Sequence, residues 1–273
     1  MIWYTAQFQA LYFLQNTQHV EDTAARLIVG AAALVNVVWF ILFGWLSDKV
    51  GRKKLMITGY ALTLLLIFPI FFGMARAANP GLADAVERAP VVVRGSDCAY
   101  NPFALKAQET ECGRLLDALS KKGIAYAKEA GAPGAPPTVT IGGRPVDATD
   151  GAALDRALGE AGYPLTKVVP NAAGIARLIL GLIAIGILSG MTYGPVAALL
   201  AEMFPARVRY TSLSVPYNIG AGYFGGFLPL ISQYIVARTG DPFAGIWYVI
   251  AVVAASLLVC LLWLEETAGK PLD

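Results

Sequence analysis

Charged side chains are scarce in this sequence. Only 15% of its 273 residues are Asp, Glu, Lys or Arg, whereas 56% are hydrophobic. A soluble domain is about 45–50% apolar, so a single core surrounded by water is not expected. The basic residues are not gathered into one patch, and this argues against a nucleic-acid surface.

Groups suited to catalysis or metal binding are also few. The only histidine, His19, lies in a short loop beside Glu21 and Asp22. We expect it to be exposed and without a special role; the alternative is a pH sensor. The acidic residues show no metal-ligand spacing and no nucleophile–base pairing. The sequence therefore predicts no cofactor, no metal and no enzymatic activity.

The first residues lack the basic start of a secretory signal peptide, since residues 1–16 contain no Lys or Arg. We interpret them as a mature membrane segment. What the chain does have is long apolar stretches, and a helix of roughly 20 mostly apolar residues can cross a bilayer. There are six of them: 2–17, 27–46, 55–74, 173–203, 211–236 and 243–264.

These stretches fall into two groups of three, separated by a polar region. The sequence thus predicts an all-α membrane protein with six transmembrane helices, arranged as two three-helix repeats around a small α/β insert. The predicted divisions are residues 1–74 for the first three helices, 75–171 for the insert, and 172–273 for the last three helices and a tail.

The polar region mixes helical and extended patterns. Helical spacing covers Phe103–Lys128 and Ala152–Ala161, and Thr138–Ile141 alternates like a strand before two glycines. Cys98 and Cys112 both fall in this region, where we expect a disulfide; two free thiols are the alternative.

The short loops carry an asymmetric distribution of positive charge. One side has Arg26 and Arg238, whereas the other has a much larger set: Lys49, Arg52, Lys53, Lys54, Arg207 and Arg209. Because Lys and Arg near a membrane stay in the cytoplasm, both termini are predicted to be cytoplasmic. The insert is then extracytoplasmic, in the periplasm beyond an inner membrane.

The strongest motif is the run Gly44–Lys54, Gly-Trp-Leu-Ser-Asp-Lys-Val-Gly-Arg-Lys-Lys. Gly44 allows a neighbouring helix to approach, and Gly51 permits a tight turn. Asp48 at the membrane edge is costly unless paired, so we expect an ion pair with Arg52 or with a neighbouring helix.

This run resembles the motif that major facilitator superfamily proteins carry after their second and eighth helices. A second stretch, Glu202–Arg209 (Glu-Met-Phe-Pro-Ala-Arg-Val-Arg), resembles a segment between helices ten and eleven of the metabolite:proton symporter and sugar-porter branches. The tail 264–270 is similar to the segment after helix twelve, with Glu265 in place of a proline. The order of these landmarks resembles that of the carboxy-terminal half, and the insert lies outside the resemblance.

The resemblance implies a secondary transporter that moves a small polar metabolite, such as a carboxylate, by proton symport with alternating access. It also implies a partner within the bilayer, either an amino-terminal six-helix half or a second copy of the chain. The residues it assigns to gating are Gly44, Asp48, Gly51, Arg52, Glu202, Arg207 and Arg209.

Polar residues inside the apolar stretches are candidates for a translocation path. Hydrogen bonding between helices is the alternative role for each. The candidates are Tyr4, Gln7, Asn36, Trp39, Tyr193, Tyr217 and Asn218. No acidic residue lies in the middle of a stretch, so a proton carrier is expected elsewhere or at Glu202. Gly186, Gly190 and Gly194 form a ridge for close packing.

A different class of function stays open. The chain could be a membrane-anchored sensor or binding protein that uses the insert to recognise a ligand. The sequence offers no cytoplasmic output domain for such a sensor.

Overall fold

The structure is a computed structural model that describes residues 1–98, 100–101, 108–132, 134–147 and 151–269. It is mostly helical. Within these ranges, four helical stretches are long and apolar enough to cross a membrane: Asp22–Val50, Arg52–Ala78, Ala172–Met203 and Arg209–Thr239.

The first apolar stretch is a helix in which α-helical and π-helical turns alternate. It consists of α1 (Ile2–Tyr4), a π-helical turn over Thr5–Gln9, α2 (Ala10–Tyr12) and a second π-helical turn over Phe13–Thr17. Two long helices follow, α3 (Asp22–Val50) and α4 (Arg52–Ala78).

Residues that flank α3 explain where this helix begins and where it ends. At its start the carboxylate of Glu21 accepts hydrogen bonds from the backbone N–H groups of Thr23 (3.0 Å) and Ala24 (2.7 Å). At its end Gly51 takes φ +107°, which favours glycine, and reverses the chain into α4.

The insert combines a small sheet with helices. In chain order its elements are α5 (Pro80–Arg88), β1 (Val91–Gly95), α6 (Glu111–Lys121), β2 (Tyr126–Ala130), β3 (Thr138–Ile141), β4 (Arg144–Val146) and α7 (Gly151–Glu160). The strand order is β2-β1-β3-β4. β1 pairs with β2 in parallel, and the other pairs are antiparallel.

One expectation for the insert is wrong in part. The helix predicted over Phe103–Lys128 ends at Lys121, and residues 126–130 form β2 instead. The physical reason is Gly123, which has φ +60° and turns the chain so that β2 can pair with β1. Residues 102–107 of that predicted helix lie outside the described residues.

The second group of helices is more interrupted. It contains α8 (Ala172–Tyr193), α9 (Val196–Met203), α10 (Arg209–Asn218), a π-helical segment over Ile219–Gly226, α11 (Leu228–Thr239) and α12 (Ile246–Leu262). The break between α8 and α9 occurs at Gly194-Pro195, and Pro216 lies inside α10 just before the π-helical segment. Proline removes a backbone donor, which accounts for the irregularity.

The glycine ridge of α8 packs directly against α3. A Cβ atom added to Gly190 would lie 2.9 Å from the Trp39 Cβ, and one on Gly194 would lie 3.1 Å from the Gly44 nitrogen. Gly186 faces the side chain of Asn36 in the same way. The backbones of α3 and α8 therefore approach more closely than larger residues would allow.

The insert is hydrogen-bonded to both groups of membrane helices. The hydroxyl of Tyr126 donates to the Ala237 carbonyl of α11 at 2.9 Å. On the other side, Lys167 pairs with Asp22 of α3 at 2.6 Å, and the Val168 N–H donates to the His19 carbonyl at 2.8 Å. The insert thus connects the ends of α3 and α11.

The expectation of an exposed His19 is wrong. Its side chain is half-buried, and its φ of +54° is in the left-handed region. The imidazole lies against Gly123 at the junction between the insert and the helices. Burial of the ring, with a contribution from the charge of Lys167, lowers the pKa of His19 below its usual value.

Candidate functional site

A cluster of charged residues lies at the end of the helices opposite to the insert, and Arg52 is its centre. The guanidinium donates twice to Glu202 at the end of α9, from Nη2 at 2.8 Å and from Nε at 3.2 Å. Its Nη1 also contacts Asp48 at 2.5 Å and Ser47 Oγ at 2.6 Å. Only 8% of the Arg52 side chain is exposed.

The carboxy-terminal tail completes the cluster. The Glu266 carboxylate accepts the backbone N–H groups of Arg52 at 2.8 Å and Lys53 at 3.2 Å, at the start of α4. The hydroxyl of Thr267 donates to Glu202 at 2.5 Å. A carboxylate at a helix N-terminus is stabilised by unpaired backbone donors there. Three motifs that are separate in sequence therefore meet at Arg52.

Gly51 makes this arrangement possible. A Cβ atom at this position would overlap the Glu266 carboxylate, and φ +107° would be strained for another residue. Ser47, Glu266 and Thr267 were not among the predicted site residues. Ser47 could have been found because it lies inside the Gly44–Lys54 motif, one position before Asp48.

The remaining predicted gating residues lie around the cluster. Gly44 faces Gly194 across the α3–α8 contact. Arg209 donates through Nε to the Phe204 carbonyl at 3.0 Å, which holds the turn between α9 and α10. Arg207 is exposed, and no ion pair joins it to Glu202 in the described part of the chain.

A cavity of about 560 Å³ lies among the helices between the cluster and the insert. Its lining is strongly aromatic and includes Trp3, Tyr4, Phe40, Tyr60, Tyr193 and Tyr217. A hydrogen bond between the hydroxyls of Tyr193 and Tyr217 joins α8 to α10 across it. The described residues that line this cavity include no Lys, Arg, Asp or Glu side chain.

The structure brings only three of the seven predicted path residues together, namely Tyr4, Tyr193 and Tyr217. Asn36 is buried between α3 and α8, where its Nδ2 donates to the Leu182 carbonyl at 3.3 Å.

The other three path candidates also lie outside the cavity lining. Trp39 packs against Gly190, and Gln7 is half-buried on the first helix. Asn218 is exposed and donates to the Ser214 carbonyl of its own helix at 2.8 Å. Sequence reasoning missed Gln9, which is buried with an unpartnered Oε1 among the described residues.

The insert contains one disulfide. Cys98 and Cys112 are bonded, with Cα atoms 4.8 Å apart, and this ties the end of β1 to α6. Cys260 is buried and free. Among the described residues there is no group of three or more His, Cys, Asp or Glu side chains that could hold a metal ion.

Several curated proteins are similar to part of this chain. A Staphylococcus aureus (strain COL) protein named "Putative proline/betaine transporter" is 29% identical over 119 residues, which are 42% of this chain and 26% of that protein. The citrate-proton symporter of Klebsiella pneumoniae is 30% identical over 102 residues, 37% of this chain and 23% of the symporter.

An ectoine/proline transporter of Corynebacterium glutamicum is 30% identical over 105 residues, 38% of this chain and 21% of the transporter. The matches thus span about a quarter of each relative's length. No protein-family model and no solved structure matches the chain. Together with its apolar helices, these relatives identify a multi-pass plasma membrane protein that is similar to transporters and not to enzymes.

Proposed function

We propose that this chain forms a six-helix lobe of a major facilitator-type secondary transporter and that it moves a small polar metabolite by alternating access. The observation that carries the proposal is the Arg52 cluster, in which three distant segments close one end of the helices beside an aromatic cavity. The similarity to named transporters supports it.

The cluster is suited to act as a latch. Arg52 is shared by Asp48 and Glu202, and Glu202 is in turn shared with Thr267 of the tail. Contacts between charged groups at the membrane edge can exchange for water when helices move apart. In an alternating-access cycle, the latch would hold one state and release in the other.

The cavity is large enough for a small solute, and its rings and hydroxyls can contact a polar one. Aromatic faces attract ammonium groups, which suits a solute that carries one. We propose a carboxylate-bearing or zwitterionic substrate. Its carboxylate would be bound by groups that do not line this cavity. Proton coupling would use Glu202 or a carboxylate from the rest of the transporter.

The proposed topology places the Arg52 cluster and both termini in the cytoplasm and the insert in the periplasm. The first helix, residues 2–17, and α12 would complete the six spans. An amino-terminal six-helix half or a second copy of the chain would supply the opposite lobe.

Uptake measurements test this function. Radiolabelled proline, glycine betaine and citrate would be offered to proteoliposomes that contain the complete transporter, with and without an inward proton gradient. Accumulation of one solute that depends on the gradient is expected. If none of a wider panel of carboxylates and betaines is taken up, the transport proposal fails.

The latch is tested separately by Asp48→Asn in α3, with Lys54→Gln, in the first turn of α4, as a control for loss of charge at the same end of the helices. Asp48→Asn should slow uptake and leave membrane insertion intact, since Asp48 is 58% exposed and contributes little to folding. Lys54 is exposed and should be replaceable. Unchanged uptake in Asp48→Asn would contradict the latch.

A further inference from the structure

The insert carries a groove separate from the aromatic cavity, with a volume of about 460 Å³. It lies between the end of α5, the β3–β4 turn and α7. Three arginines, Arg88, Arg144 and Arg156, line it, together with one acidic residue, Glu160. We call it the arginine groove.

The walls of the arginine groove are held by the fold of the insert. The Gly142 N–H donates to the Pro90 carbonyl at 3.1 Å, and the Tyr163 hydroxyl donates to the Ala89 carbonyl at 2.8 Å. These bonds position the β3–β4 turn and the end of α7 against the end of α5. Small residues, Ala153 and Ala157, line the α7 side and leave space beside the arginines.

Among the described residues, the three arginines of the groove have no ion-pair partner. No carboxylate lies within 4.0 Å of any of its three guanidinium groups in the ranges that the structure describes. Other arginines of this region do have partners, since Arg76 pairs with Glu87 and Arg94 with Glu129. Within the described part of the chain, Arg88 donates through Nε to a backbone carbonyl, that of Asp84, at 3.2 Å.

Among the described lining residues, three cations and one anion leave the groove with an excess of positive charge. A concave surface with charge of one sign concentrates the electric field and attracts counter-ions. Guanidinium groups match the geometry of carboxylate and phosphate oxygens, to which they can donate two parallel hydrogen bonds. The three arginines come from three different elements, so a ligand in the groove would be contacted from several sides.

We propose that the arginine groove binds an oxyanion whose negative charge is carried by carboxylate or phosphate groups. This function is additional to transport and does not depend on it. The same chemistry is offered by a soluble solute and by a lipid headgroup, so the experiment must separate these two sources.

The test uses the full chain, purified in a neutral detergent, and isothermal titration calorimetry with citrate and with inorganic phosphate. Saturable binding that weakens as sodium chloride is raised is expected, because salt screens the exposed charges. Arg144→Gln and Arg156→Gln should each weaken binding about tenfold, equal to about 1.4 kcal/mol.

The matched control is Arg114→Gln, which removes the same charge from α6. Arg114 is exposed, lies outside the groove lining and donates to backbone carbonyls at 3.3 and 3.4 Å. Its replacement should leave the affinity unchanged. Melting temperatures of all variants would show that the insert remains folded. Equal losses in the control and in the groove variants would overturn the proposal.

The lipid source is tested in nanodiscs that contain phosphatidylglycerol or phosphatidylcholine. If citrate and phosphate do not bind but phosphatidylglycerol is retained in an Arg144-dependent and Arg156-dependent manner, the oxyanion is a lipid headgroup. If neither soluble anions nor anionic lipid binds, the proposal is wrong, whatever the outcome of the uptake measurements.

Discussion

The guanidinium of Arg52 and the carboxylate of Glu202 are joined by two hydrogen bonds across 150 positions of sequence. The Arg52 side chain is 8% exposed and that of Glu202 is 15% exposed, so neither charge is fully solvated. Each also holds a further group, Asp48 on one side and Thr267 on the other. The pair therefore links the α3–α4 loop, the end of α9 and the tail.

Glu202→Gln should destabilise the fold by about 3 kcal/mol. The change removes one of the two carboxylates that neutralise the mostly buried charge of Arg52. The measurement is unfolding of the purified chain in detergent. Arg52→Gln should cost a similar amount, and the double variant should cost less than the sum of the two. Additive losses would show that the two side chains do not interact, and Lys54→Gln serves as the neutral control.

Gly190→Ala should lower stability by about 1–3 kcal/mol, since the new methyl group would lie 2.9 Å from both Trp39 and Phe43. Gly30→Ala is the matched control in α3, because an added Cβ there meets nothing within 4 Å. Thermal unfolding of both variants is the measurement. Equal melting temperatures would contradict close packing of α8 on α3.

Tyr193→Phe should raise the KM for uptake about fivefold, because it removes a hydroxyl and its bond to Tyr217 from the proposed substrate cavity. Tyr223→Phe removes a hydroxyl from an exposed ring outside the cavity lining and should leave KM unchanged. Radiotracer uptake in the complete transporter measures both. A normal KM in Tyr193→Phe would exclude this hydroxyl from substrate binding.

His19 should make the fold less stable in mild acid. Burial lowers its folded pKa, so the unfolded chain binds the proton more readily, and stability falls as the pH drops below about 6.5. His19→Asn retains a residue that tolerates positive φ but cannot become protonated. Its loss of melting temperature between pH 7 and pH 5 should be smaller than in the natural chain, and an equal loss would contradict this assignment.

Features that depend on residues close together in sequence could be predicted from the sequence. The apolar stretches follow from composition, because a helix that crosses hydrocarbon must be apolar over its whole length. Gly51 and the neighbouring Asp48 and Arg52 could be assigned from spacing, since the turn and the contact involve residues that are close in sequence. The strand Tyr126–Ala130 was missed because its pairing with β1 depends on residues far away.

The amino-acid sequence by itself therefore determined the helical membrane character, the polar insert and the motifs around Arg52. Only the tertiary structure decided that Glu202 and Glu266 meet at that arginine, that Tyr4, Tyr193 and Tyr217 share a cavity, and that Asn36 lies between helices instead. The physical reason is that these contacts depend on how helices rotate and cross. That geometry is set by side-chain packing over the whole bundle, including the glycine ridge of α8, and not by local spacing.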